Sequence, residues 1–96
     1  MFCVQLAGVL KPGSTTPIIK VHAAKRNGII REHGLQGMEM SMNDNTGQTQ
    51  ILFYVETEED VRKFLQNFET TIAPYSPFIE QENRLNIATV TAYHSI

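Results

Sequence analysis

The sequence predicts an α+β domain of ferredoxin-like βαββαβ order, with a four-stranded antiparallel sheet and two helices on one face. Three observations carry that expectation. Apolar residues alternate with polar ones at residues 38–42, and residues 49–56 hold a run of strand formers that is apolar on both faces. Residues 57–72 hold an apolar stripe at helical spacing behind a capping threonine. Clusters of Pro, Gly, Asn and Asp separate these runs into short elements.

Residues 2–10 are rich in strand formers and stop at Lys11-Pro12-Gly13-Ser14, a loop signature, so they predict the first strand. A helix is expected next. Thr16 before Pro17 places a capping hydroxyl at N-cap and a fixed φ at the first helical position. Ile18, Ile19, His22, Arg26, Ile29, Ile30 and His33 then recur at helical spacing as far as Gly34, and Lys25, Arg26 and Arg31 lie toward the negative end of the dipole. Asn27-Gly28 offers a rival. It is the commonest two-residue hairpin turn, and on that reading Ile19, Val21 and Ala23 alternate with Lys20, His22 and Ala24 in a five-stranded meander with one helix.

Met38, Met40 and Met42 alternate with Glu39 and Ser41 as a strand with one apolar face, and 43–47 is turn chemistry. The following strand turns Ile51, Phe53 and Val55 one way and Leu52 and Tyr54 the other, so both of its faces need cover. In the second helix Thr57 caps, Glu58, Glu59 and Asp60 occupy the positive end, and Val61, Phe64, Leu65, Phe68 and Ile72 form the stripe. Glu58-Arg62 and Glu59-Lys63 are spaced for pairing. Pro74 ends the helix. Residues 85–93 predict a last strand, with Ile87, Thr89, Thr91 and Tyr93 on one face and Ala88, Val90 and Ala92 on the other.

Ninety-six residues with 42% apolar content predict one domain spanning 1–96. A net charge of −2, from 8 basic and 10 acidic side chains mixed along the chain, gives no electropositive field for nucleic acid. The lone Cys3 closes no intrachain disulfide and matches no metal spacing, and it reads as a small apolar strand residue. Residues 1–10 lack the basic start and the cleavage site of an export signal and fall short of the ~20 needed to cross a bilayer. A cytoplasmic protein without membrane attachment is expected. No phosphate loop, nucleotide fingerprint, nucleophile elbow or paired-carboxylate motif occurs, and no cofactor or metal is expected.

With the methionines and Val90 facing the helices, the opposite sheet face carries Cys3, Gln5, Ala7, Glu39, Ser41, Leu52, Tyr54, Ile87, Thr89, Thr91 and Tyr93. That mixture is too apolar for a solvated face and too polar for a dry core. It has the composition of a subunit interface, and a homodimer with its sheets face to face is expected.

The order of turns and caps resembles the antibiotic-biosynthesis-monooxygenase type of dimeric α+β barrel. The resemblance runs through Val9-Leu10-Lys11-Pro12-Gly13, the helix-ending Gly34, the turn Asp44-Asn45-Thr46-Gly47, the acidic entry Val55-Glu56-Thr57-Glu58-Glu59, and Pro74. It implies a pocket between helices and sheet for a small planar aromatic or polyketide-like, largely apolar ligand, or haem in some members, with cofactor-independent oxidation in the enzymes of the family. Several of those enzymes place a tryptophan in the pocket, and this chain has none. A shorter resemblance, at Gly34-Leu35-Gln36-Gly37-Met38, is to nitrogen-regulatory signalling proteins of the PII type. It implies a regulatory or protein-interaction module without catalysis, although the long loop those proteins carry between strands two and three is absent.

Among individual residues, His22 stands on the sheet-facing stripe of a helix, where a neutral imidazole could act as a general base. The plainer reading is a helix-edge histidine with a backbone or solvent partner. Gln5, Glu39, Tyr54 and Tyr93 are placed to converge on the second sheet face as candidate ligand contacts, and the plainer reading is an interface hydrogen-bond network. Phe64 and Phe68 are candidates for stacking on an aromatic ligand and otherwise belong to the core. The methionine row reads as core packing.

Overall fold

A computed structural model describes residues 1–43 and 45–80, together with the backbone of 84–89. The elements run β1 (Phe2–Val9), α1 (Thr15–His33), β2 (Gly37–Met42), β3 (Gln48–Val55), α2 (Glu58–Gln66), α3 (Phe68–Ile72), a 3-10 turn at Ser76–Phe78, and β4 (Arg84–Thr89). The strands form one sheet in the order β2-β3-β1-β4, and every neighbouring pair is antiparallel. This is the ferredoxin-like α+β arrangement.

One helix, α1, covers the segment for which a hairpin was the rival, and it passes through Asn27 and Gly28 without a break. The stripe decides the matter: Ile18 and Ile29, on either side of the Asn-Gly pair, are both buried against the sheet. The start differs from expectation. Ser14 stands at N-cap, not Thr16, so Pro17 is the third helical residue. The first bond of the helix runs from Ile18 N–H to Ser14 O at 3.0 Å. Proline therefore occupies a place where its missing N–H would have had no partner in any case. Ile19 falls off the stripe and is 47% exposed. At the far end Gly34 adopts φ 62°, and Leu35 N–H turns back to Ile30 O at 2.9 Å.

The second helix is shorter than its stripe. Thr57 and Asp60 form a reciprocal capping box at its start. The helix stops at Gln66, and Asn67 closes it by donating its side-chain amide to Lys63 O at 3.2 Å. The chain then resumes as α3, which carries Phe68 and Ile72 onto the same core. Glu59 meets Lys63 at 4.0 Å, whereas Glu58 and Arg62 form no ion pair among the described residues. Both partners of the pair that does form are exposed, so it adds little to stability.

Register assigns the two faces. Val4 and Leu6 of β1, Met38 of β2 and Ile51, Phe53 and Val55 of β3 form the floor of the core, and Ile18, Ile29, Val61, Phe64 and Ile72 form its roof. Met40 and Met42, partly buried, pack against the same cluster. Phe53, Phe64 and Phe68 make an aromatic triangle with centroids 4.7, 5.8 and 6.3 Å apart. The opposite face carries Cys3, Gln5, Ala7, Glu39, Ser41, Leu52 and Tyr54, as expected from period two.

The last strand is set the other way. Its register brings Ile87 opposite Val4 and Thr89 opposite Phe2, both positions on the helix side, and Ala88 opposite Cys3. The expected phase is therefore reversed at this strand, because alternation alone fixes a pattern and not which half of it faces inward. Thr91 and Tyr93 lie outside the described residues. No helix among the described residues is long and apolar enough to cross a membrane.

Candidate functional site

A cleft of about 450 Å³ opens where α1 passes over the sheet edge at β2, lined by His22, Arg26, Met38, Glu39, Met40, Ser41 and Leu52. Its position follows from the sheet order. β2 is an edge strand, and the bond from Asn43 N–H to Gln48 O at 2.8 Å fixes which of its backbone groups face β3. By that alternation the carbonyls of Met38 and Met40 point outward from the pair. Arg26 Nε donates to Met38 O at 2.8 Å, so the guanidinium is held at the rim by an otherwise unpaired edge carbonyl.

His22 precedes Arg26 by one helical turn and shares its face of α1. Its Nδ1 lies 2.9 Å from the hydroxyl of Tyr75, and the two rings sit 6.0 Å apart. Tyr75 follows the end of α3, where its N–H bonds Ile72 O at 2.8 Å, and it has no exposed surface. Burial pushes its phenol up to about 12. Burial, and after it the positive charge of Arg26, push His22 below its ordinary value, so the imidazole is neutral at pH 7. The cleft therefore combines a neutral imidazole, a fixed guanidinium and the apolar side chains of Met38, Met40 and Leu52. Such a surface can bind an apolar body and hydrogen-bond a polar group at one end.

Round the edge, on the opposite sheet face, the Tyr54 hydroxyl donates to Glu39 Oε2 at 3.4 Å. Cys3 lies on that face, and burial, with Glu39 contributing less, pushes its thiol up and leaves it protonated. Among the described residues no group of three His, Cys, Asp or Glu could hold a metal ion.

No protein-family model matches the sequence, and no curated protein matches it either. Solved structures do. A protein from Bordetella bronchiseptica named as an antibiotic biosynthesis monooxygenase superposes with a TM-score of 0.74 at 12% identity, covering 95% of this chain and 98% of the other. One of the same name from Nitrosomonas europaea gives 0.71 at 12% identity over 96% and 100% of the two chains. A third, from Deinococcus radiodurans, gives 0.70 at 9% identity over 100% and 98%. The chain has the antibiotic-biosynthesis-monooxygenase fold. At these identities the likeness is one of fold, and it favours the monooxygenase-type resemblance over the PII-type one.

Within that fold the residues singled out in the sequence are divided among three places. His22 and Glu39 line the cleft from opposite sides of β2. Tyr54 bonds Glu39, and Gln5 lies across from Leu52 on the same sheet face. Phe64 and Phe68 pack with Phe53 inside the core rather than at the cleft. Tyr93 lies outside the described residues. Neither Arg26 nor Tyr75 was among the site residues expected from the sequence. The four-residue step from His22 to Arg26 was a usable signal, whereas nothing local links His22 to a tyrosine 53 residues away.

Proposed function

We propose that this chain is a small-molecule-binding domain, working as a homodimer in the cytoplasm, whose cleft beside β2 takes a small planar and largely apolar or aromatic ligand. The observation that carries the reading is the meeting of His22 and Arg26 with Met38, Met40 and Leu52 in one opening of about 450 Å³, within the range of small-molecule sites. A cofactor-independent monooxygenase-like oxidation is the enzymatic form of the proposal, and the names of the structures that share the fold suggest it. His22 then belongs to the reacting end of the cleft and the methionines to the end that grips the ligand's apolar body. The second sheet face supports the dimer, since Cys3, Ala7, Leu52 and Tyr54 among Gln5, Glu39 and Ser41 have the mixed composition of an interface. A lone cysteine suits a reducing compartment.

Native mass spectrometry and amide NMR with naphthohydroquinone as probe test the association and the binding together. The expected result is a dimer at micromolar concentration that takes up the probe, with amide shifts at Met38, Met40 and Leu52. A monomer would remove the dimer, and failure of the probe to shift those amides would remove the cleft. Oxygen uptake in the presence of the probe, lost in His22→Ala by about 10²-fold, tests the enzymatic form.

A further inference from the structure

The hydrogen bond between His22 and Tyr75 determines what the histidine can offer the cleft. Tyr75 is fully buried, and among the described residues its hydroxyl has a single hydrogen-bond partner, His22 Nδ1 at 2.9 Å. A buried hydroxyl that donates to nothing leaves an unsatisfied group, which is costly. Tyr75 keeps its proton, because burial raises its phenol to about 12. The proton must then be given to Nδ1, which is free to accept only if it carries no hydrogen. A neutral imidazole holds one hydrogen, so that hydrogen is on Nε2, the remaining polar atom of a ring that lines the cleft.

Arg26 adds donors on the same side. Its Nε is committed to Met38 O at 2.8 Å, and Nη1 reaches Asn27 Oδ1 at 3.4 Å, which leaves further N–H groups on a guanidinium that has five. We propose that Tyr75 locks His22 as its Nε2–H tautomer, so that His22 and Arg26 form a two-donor anchor and the cleft selects apolar molecules bearing a carboxylate. A carboxylate presents two oxygens to two donor groups, one of them charged, and the charge-assisted bond is the stronger. Glu39 lines the cleft too, but from the far side of β2, since Met38 and Met40 face the helices and Glu39 alternates away from them. It repels an anion there and leaves the α1 side as the place for the carboxylate. The inference rests on the cleft being the ligand site, and it turns His22 from a resting base into a donor. Tyr75 is a positioning residue, acting through His22.

Two measurements test it on the full chain. Long-range proton–nitrogen correlation of the histidine side chains at neutral pH should show His22 protonated at Nε2 and bare at Nδ1, with the pattern lost in Tyr75→Phe. The opposite tautomer, or one unmoved by Tyr75→Phe, overturns the assignment. Binding is then compared for 2-naphthoate, 2-naphthamide and 2-naphthylmethylammonium, which share one apolar body. The carboxylate should bind roughly 10-fold or more tightly than the ammonium, and Arg26→Met should abolish most of that preference. Binding without preference, or a preference for the cation, overturns the anchor and leaves the cleft. Binding of none of the three overturns the cleft itself, and the ligand class with it.

Discussion

His22 Nδ1 and the Tyr75 hydroxyl meet at 2.9 Å across 53 residues of chain, tying the first helix to the segment that follows α3. The pair is held in a titration state by burial, since both groups are shifted toward their neutral forms. Folding stability is therefore linked to pH at both ends of the neutral range.

On the acid side, His22 in the folded chain takes up its proton below the ordinary value of 6.5, while the unfolded chain takes it up at that value. The unfolded state then binds more protons, so this contribution is fully present above pH 6.5 and is lost as pH falls toward the folded value. Urea midpoints measured across this window should fall with pH in the wild type and fall less steeply in His22→Gln. Parallel slopes for the two proteins would remove His22 from the linkage.

On the alkaline side the sign is reversed. Tyr75 ionises near 10.0 when unfolded and at about 12 when folded, so the unfolded state loses its proton first. The stability gained is present below pH 10 and disappears toward pH 12, a loss of up to ~3 kcal/mol. Tyr75→Phe should flatten this limb in chemical denaturation, and a limb of unchanged depth would contradict the pairing of burial with the shift.

Gly28 within α1 and Gly34 at its C-cap should respond in opposite directions to alanine. Gly28 lies within the helix with open space around its α-carbon, so Gly28→Ala should stabilise the protein by about 0.5–1 kcal/mol. Gly34 has equal space but stands at φ 62°, and Gly34→Ala should destabilise it by ~1 kcal/mol for conformational reasons alone. Thermal melts of both variants check this. A destabilised Gly28→Ala would place the segment outside a regular helix.

The aromatic triangle should dominate the mutational sensitivity of the core. Phe64 is buried between Phe53 and Phe68, with His33 meeting its edge at 6.2 Å. Phe64→Ala removes one ring from all three contacts and should cost about 3–5 kcal/mol, a large share of a total of about 5–15 kcal/mol. Guanidinium denaturation would show it, and a loss under ~1 kcal/mol would mean that the site collapses around the cavity.

Much of this architecture was legible along the chain. Period two at Met38, Met40 and Met42 and at Ile51, Phe53 and Val55 named the inward face correctly, because a buried face cannot slip by one residue without exposing the whole set. Thr57 and the acidic residues behind it marked the start of α2 through a local hydrogen-bond exchange. The failures share a cause. The phase of β4, the break at Asn67 and the choice of Ser14 over Thr16 as cap are each settled by what the rest of the molecule places alongside, and several local solutions were nearly equal.

His33 illustrates the same limit. Its basic character near the helix C-terminus fits a favourable interaction with the dipole, which sequence position suffices to suggest. In the folded chain Thr71 spends its hydroxyl proton on Asn67 O at 2.9 Å, and so accepts from His33 Nε2 at 3.2 Å. A partner 38 residues away leaves no trace in the neighbourhood of residue 33.

The amino-acid order alone determined the strands β1, β2 and β3 with their apolar faces and the start of α2, since propensity, capping and periodicity act over a few residues. It left residues 17–33 open between helix and hairpin, and the burial of Ile18 and Ile29 on one stripe decided for the helix. Tertiary structure decided that β2 lies at the edge, that Arg26 reaches its open carbonyl, and that Tyr75 arrives beneath His22. Those are contacts between segments far apart in the chain, fixed by strand order and by the need to partner each buried polar group, and neither quantity is expressed in any local window.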